Sequence, residues 1–187
     1  MLKDLLTSLR LALATFIACS IVYPGTLLLL GLGLAPAKAA GSLVYAPDGE
    51  IVGSRLVAQG FTRPEYLWPR PSAVDYAGNA AGGTNLSPSN PVLIERAAEC
   101  ADRLGASFAH PVPADLVSAS GSGLDPHVTL EGALYQAERI AEARATEPSR
   151  VEALIRRHAT TATPWVPALV DVLELDLALD DEFGSLR

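Results

Sequence analysis

An α+β fold is predicted: a single N-terminal transmembrane helix followed by one extracytoplasmic α+β domain. The first observation behind this is a run without charge, Leu11 to Ala37, set between Arg10 and Lys38. The second is that everything after Lys38 is charged, broken by Pro and Gly, and long enough for one domain with its own core. The third is that helical and alternating apolar spacings both occur in that second part.

A helix rises about 1.5 Å per residue and the apolar core of a bilayer is about 30 Å thick, so Leu11 to Leu34 reaches across. Residues 1–10 are read as a cytoplasmic N-terminus, 11–34 as the transmembrane helix and 39–187 as the soluble extracytoplasmic domain. Lys3 and Arg10 precede the run, with Asp4 partly offsetting them, whereas Lys38 alone follows closely. Positive residues stay on the cytoplasmic side, which places the domain outside a cell (inner) membrane crossed once. A cleaved signal peptide is the rival reading, because Ala37-Lys38-Ala39 imitates a small-x-small cleavage site. A signal core spans roughly 7–15 apolar residues, and this run is longer, so retention is expected. Pro24 lies in mid-span, where it removes a backbone hydrogen bond and kinks the helix. A tolerated kink and packing against neighbouring helices both accommodate it. Gly25, Gly31 and Gly33 lower the bulk nearby and let another helix approach.

The net charge is −7, and all of the negative excess lies beyond Leu34. That balance excludes nucleic acid as a partner and leaves no polybasic lipid-binding patch. Membrane lipid is therefore met through the anchor. Lysine occurs only at Lys3 and Lys38. Cys19 lies in the apolar run and Cys100 in the domain, so they are not expected to pair, and neither belongs to a Cys-x-x-Cys motif. Cys100 reads as a small buried apolar residue.

Along the domain, Leu43 to Val57 reads as a β-hairpin turning at Asp48-Gly49. Phe61 to Pro91 is dense in Pro and Gly and reads as a long irregular loop. Its aromatic residues Tyr66, Trp68 and Tyr76 argue for packing rather than disorder. Asn90-Pro91 opens a helix that buries Leu93, Ala97, Cys100, Ala101 and Leu104 and ends at Gly105. Pro113 to Val117 reads as a short helical turn. Thr129 to Arg144 reads as one helix with Leu130, Leu134, Ala137, Ile140 and Ala141 on its inner face. Ser149 to His158 is another, opened by a Ser149-x-x-Glu152 capping box. In Val170 to Leu179, Leu173, Leu175, Leu177 and Leu179 alternate with acidic residues, so a closing strand is expected. Strands at both ends with helices between give the α+β assignment.

Chemistry is sparse. Gly82-Gly83-Thr84-Asn85 has the look of a phosphate cradle, but no lysine follows, and Pro88 and Pro91 remove backbone donors, which favours a structural turn. Ser122, Asp125 and His127 sit close in sequence, yet triads are assembled by the fold rather than by adjacency, and Asp125-Pro126 suits a turn or cap. His110, His127 and His158 have no metal-ligand spacing. Gln136 and Arg139 share a helix face beside Tyr135, forming either a partner-facing polar patch or a solvated face. No catalytic residue and no metal ligand is assigned.

Several segments in order resemble one family. They are Tyr23-Pro24 in the anchor, GSRLVAQGF (Gly53 to Phe61), RPSA (Arg70 to Ala73), GGTNLSPSNP (Gly82 to Pro91), VPADLVSASGSGLDPHV (Val112 to Val128), YQAERIAEAR (Tyr135 to Arg144) and VDVLELDLALD (Val170 to Asp180). Together they resemble the C subunit of the Kdp-type potassium-transporting ATPase, over nearly the whole chain. Departures are mild: Leu67-Trp68-Pro69 replaces an aromatic-and-glycine step, Thr84 replaces Ser, Ser87 replaces Gly, and Asp171 and Asp176 stand where asparagines are common.

The resemblance implies an accessory, non-catalytic subunit of a high-affinity ATP-driven potassium uptake complex. Its partners would be a potassium-channel-like subunit and an ATP-hydrolysing subunit. It would assist assembly and raise ATP affinity as a catalytic chaperone, with ATP met through the catalytic subunit. By the same resemblance Gln136 is the nucleotide-linked residue. ATP is cytoplasmic and the domain is expected outside, so an effect transmitted through the complex fits better than direct contact. Pro24, Tyr66, Trp68, Arg70 and Tyr76 are the candidate partner interface, because proline-bounded aromatic and arginine-rich loops supply interface anchors. The alternative is a membrane-anchored extracytoplasmic hydrolase built on Ser122, Asp125 and His127.

Overall fold

A computed structural model describes residues 2–46, 49–161, 163 and 165–185 of the chain. The chain divides into two units, one ending at Leu43 and the other beginning at Val44.

The first unit is a continuous helix of 33 residues, Leu2–Leu34, about 50 Å long by its rise per residue. It starts nine residues before the run that lacks charge, because Leu2 to Arg10 are good helix formers and continue the same turns. Its three sections are α1 (Leu2–Ile17), a π-helical turn (Ala18–Val22) and α2 (Tyr23–Leu34). Pro24 explains the π turn. Its ring would strike the carbonyl four residues back, and widening the turn lets Tyr23 N–H reach the Ala18 carbonyl instead. The Thr26 hydroxyl donates to the Val22 carbonyl at 2.8 Å, a local partner for a group beside the break. None of this helix is buried. A short α3 (Pro36–Ala39) follows.

The expected hairpin, β1 (Leu43–Tyr45) paired with β2 (Ile51–Ser54), begins at the division between the units. Gly49 N–H bonds to the Ala46 carbonyl at 2.9 Å, while Asp48 lies outside the described residues. Residues 58–90 hold no regular element, as the Pro/Gly density predicts. Helix α4 (Pro91–Arg103) starts as expected, the Asn90 side chain accepting the Val92 N–H. Its expected inner face, including Cys100, is only half-buried. A single turn, α5 (Ala114–Val117), also forms.

The remaining elements correct three expectations. Thr129 to Arg144 is not one helix. Strand β3 (His127–Thr129) comes first, Thr129 then caps α6 (Leu130–Tyr135), and the helix breaks at Gln136 before α7 (Ala137–Ala143). Helix α8 (Pro148–His158) starts before Ser149, with Pro148 at the first helical position and Glu147 at the N-cap position without a side-chain cap bond, so the Ser149 box does not form. The closing strand is short: β4 is Leu169–Asp171, and Val172–Phe183 is helix α9. The Asp171 side chain accepts the Glu174 N–H and so starts that helix. Val172, Leu175, Asp176 and Leu179 face inward at helical spacing, and that stripe prevails over the alternation of leucines.

β3 and β4 pair antiparallel with Val128 opposite Val170, both buried. The late strand β4 therefore pairs with β3, and the hairpin β1–β2 forms a separate two-stranded sheet. Against this ladder pack Ala133, Ala137, Ile140 and Ala141 of α6 and α7, Val151, Leu154 and Ile155 of α8, and Leu175 and Leu179 of α9, with Leu67 from the long loop.

Candidate functional site

The loop from Arg63 to Arg70 begins with a turn, Tyr66 N–H reaching the Arg63 carbonyl, and carries Pro64 and Pro69; it joins no strand ladder. Glu65 and Leu67 to Pro69 are nevertheless buried, and buried backbone groups need partners. Side chains from α7, α9 and the break between α6 and α7 supply them. Asp176 Oδ1 accepts the Leu67 N–H at 2.7 Å. Gln136 Oε1 accepts the Trp68 N–H at 3.0 Å, and its Nε2 donates to the Trp68 carbonyl at 3.1 Å. Arg139 donates to the Pro64 and Tyr66 carbonyls, and also to Gln136 Oε1 at 2.6 Å. Arg144 Nε donates to the Glu65 carbonyl at 2.8 Å.

Arg144 ties three further points together. Its Nη1 donates to the Leu179 and Gly184 carbonyls at 3.0 Å each, and its Nη2 to Asp180 Oδ1 at 2.8 Å. The Tyr66 hydroxyl donates to the other Asp180 oxygen at 2.9 Å. With its side chain 1% exposed, Arg144 satisfies its charge entirely inside the domain. Asp176, 2% exposed, is less well served: Oδ2 is sealed from solvent and has no partner among the described residues. Burial holds its carboxyl well above the usual range, while the Leu67 N–H and Arg144 pull the other way. Burial also lowers the Arg139 guanidinium to about 10, still charged at neutral pH.

Gln136 is neither solvated nor surface-facing. It is 1% exposed and holds the main chain of Trp68 from both sides. Trp68 is itself buried, its indole N–H donating to the Arg63 carbonyl at 2.9 Å and its ring lying 3.8 Å from the Arg139 guanidinium carbon. Arg70 pairs with Asp125 at 3.1 Å, and the Tyr76 hydroxyl donates to the Arg70 carbonyl at 3.0 Å. The expected interface residues of the loop therefore meet one another and the helices behind them. Pro24 lies in the other unit, on the exposed helix.

The Ser122, Asp125 and His127 grouping is not wired as a triad. Asp125 Oδ1 meets the His127 ring at 3.3 Å, but Ser122 Oγ accepts the Leu124 N–H at 3.1 Å, and no hydrogen bond joins Ser122 to His127 among the described residues. Gly82-Gly83 forms no turn and lies against the Gly121-Ser122 backbone instead. Gly82 N–H reaches the Ser122 carbonyl at 2.8 Å, and a Cβ on Gly83 would stand 3.0 Å from the Gly121 carbonyl oxygen.

Sequence reasoning missed Arg144, Asp176 and Asp180 as partners of the loop. Asp171-Val172-Leu173-Glu174, a cap signal before an apolar stripe, would have placed Asp176 and Asp180 on a helix. No local signal marks Arg144, whose partners lie 35 to 79 residues away in sequence. Chemically the assembly offers no nucleophile beside a base. It is a clamp that fixes one loop against three helices.

The family model described as "KdpC: K+-transporting ATPase, c chain" matches residues 5–181. Curated proteins named "Potassium-transporting ATPase KdpC subunit" are similar over nearly their whole length. That of Parvibaculum lavamentivorans is 48% identical over 181 residues, covering 96% of this chain and 97% of that one. That of Methylibium petroleiphilum is 44% identical over 198 residues, covering 96% and 98%. That of Methanosphaerula palustris is 41% identical over 180 residues, covering 89% and 97%.

Proposed function

The chain belongs to the KdpC family, the c chains of the K+-transporting ATPase, and on that premise we propose that it serves as the accessory, non-pore subunit of an ATP-driven potassium uptake complex. It anchors in the cell membrane through Leu11 to Leu34, N-terminus in the cytoplasm and domain outside, and assembles with a channel-like subunit and an ATP-hydrolysing subunit. It assists their assembly and raises the ATP affinity of the catalytic subunit without catalysis of its own. The observation that carries this reading is the family match over residues 5–181, which takes in both the exposed apolar helix and the clamped domain.

Gln136 acts in this reading by holding the Trp68 loop in place, not by touching nucleotide. A direct contact would require it to release both Trp68 groups, each costly to leave unpaired. ATP affinity then changes through the assembled complex, as linkage between sites permits. Pro24 and the glycines around it let the anchor pack on neighbouring spans.

Co-purification in detergent tests the proposal. The tagged chain should bring down the channel-like and ATP-hydrolysing subunits. Complex prepared without it should hydrolyse ATP with a raised KM. An unchanged KM together with an absence of co-purifying subunits would remove the accessory role.

A further inference from the structure

We propose that Asp176 and Arg139 form a pH-operated latch on the loop from Arg63 to Arg70: Arg139 holds the Pro64 and Tyr66 carbonyls while Asp176 keeps its proton, and turns to Asp176 Oδ2 once that proton is lost. Two sealed atoms lead to this reading. Asp176 Oδ2 and Arg139 Nε are both shut off from solvent, and neither has a partner among the described residues. They belong to one network. Asp176 Oδ1 holds the Leu67 N–H, Gln136 holds the main chain of the next residue, Trp68, and Arg139 donates to Gln136 Oε1. The charges of Asp176 and Arg139 also act on each other.

A carboxylate sealed away from water without a cation is costly, so ionised Asp176 calls for one to turn toward it. The groups around it leave Arg139. Each nitrogen of Arg144 already has an acceptor. Asp180, one turn along α9, opposes a second negative charge. Glu65 of the loop pairs with Arg63, and on α8 Arg150 and Arg157 pair with Glu182. Arg103 of α4 lies over the Trp68 ring at 4.7 Å, and its charge bears on Arg139. Arg139 itself stays charged at neutral pH, lowered by burial only to about 10. Its present acceptors are readily given up. Pro64 is exposed and Tyr66 half-buried, so water can take over both carbonyls. The turned state exchanges two bonds near the surface for one sealed, charge-assisted pair. It loosens the Arg63 to Tyr66 turn and uncovers the Trp68 ring, on which Arg139 lies at 3.8 Å. In the topology proposed above the domain meets the medium outside the membrane, and the latch itself does not rest on that topology.

Trp68 reads the latch. In the full chain in detergent, Trp165→Phe removes the exposed second indole and leaves Trp68 alone. Acrylamide quenching of Trp68 should rise by about twofold or more across one titration between pH 4 and 9, as local opening grows. Far-UV circular dichroism should stay constant through that step. In the same background Asp176→Asn should hold the low-pH value throughout. Arg139→Gln should show no step either, although Asp176 can still titrate, because no cation is left to turn. With both residues in place, the Arg139 Nε–H resonance should move downfield over the same pH range as it gains an acceptor. Absence of a step in the Trp165→Phe chain overturns the proposal. So does a step that survives Asp176→Asn or Arg139→Gln, and so does a fixed Nε–H resonance. Co-purification with pump subunits plays no part in these measurements, so failure here leaves the family-based function intact.

Discussion

Gln136 grips Trp68 by the main chain, accepting its N–H at 3.0 Å and donating to its carbonyl at 3.1 Å, so one side-chain amide replaces the strand partner that this loop residue lacks. The two groups are 68 residues apart in sequence, and both are buried. Gln136→Ala would leave two buried backbone groups unpaired, at about 1–3 kcal/mol each. Urea unfolding of the full chain should therefore show a loss of several kcal/mol. A change within experimental error would mean that water or relaxation replaces the amide.

Asp176 sets a pH dependence with a definite sign. Its folded carboxyl titrates well above the unfolded value because of burial, so the folded state keeps a proton that the unfolded state loses. Its contribution to stability is complete below the unfolded value of about 4 and is lost as pH rises through the folded value. The neighbouring charges that act on it are Arg144, Asp180 and Arg139. Asp176→Asn keeps the acceptor for the Leu67 N–H and removes the titration. The variant should match or exceed the parent at neutral pH and flatten this part of the profile. A parent and variant with parallel profiles from pH 4 to 8 would contradict the assignment.

Arg144 should be irreplaceable by lysine. Its donors meet Glu65, Leu179, Gly184 and Asp180 in several directions, which a single ammonium cannot reproduce. Both Arg144→Ala and Arg144→Lys should cost about 3 kcal/mol or more, as when a buried ion pair loses one partner. Thermal unfolding that ranked the lysine variant with the parent would show that charge alone suffices.

Gly123 has φ +68°, and a Cβ there would stand 2.6 Å from Val74 Cγ2 and 2.9 Å from the Gly82 carbonyl oxygen. Gly123→Ala should destabilise by about 2 kcal/mol through strain and overpacking. Val74→Ala should relieve only the side-chain part. Full rescue by Val74→Ala would place the whole cost in packing and none in the backbone.

Topology is open to a direct assay. The Lys3 and Arg10 flank predicts an external C-terminus. A C-terminal reporter that works only outside the cytoplasm should be active, and the mature chain should retain its N-terminal helix. A mature N-terminus near Ala40 would instead reveal a cleaved leader.

Local chemistry was enough to read the long apolar helix, the hairpin, the irregular proline-rich loop and the Asn90 cap, because each depends on neighbours within a few residues. It was not enough for Leu169 to Phe183. There Leu173, Leu175, Leu177 and Leu179 satisfy an alternating pattern, while Val172, Leu175, Asp176 and Leu179 satisfy a helical one. The helical stripe contains an aspartate, which composition assigns to solvent. Only the folded chain brings the Leu67 N–H to that carboxyl and makes its burial tolerable. The same holds for Gln136 and Arg144. Their polarity reads as surface in sequence, and their burial depends on backbone groups of a loop that no local pattern places beside them.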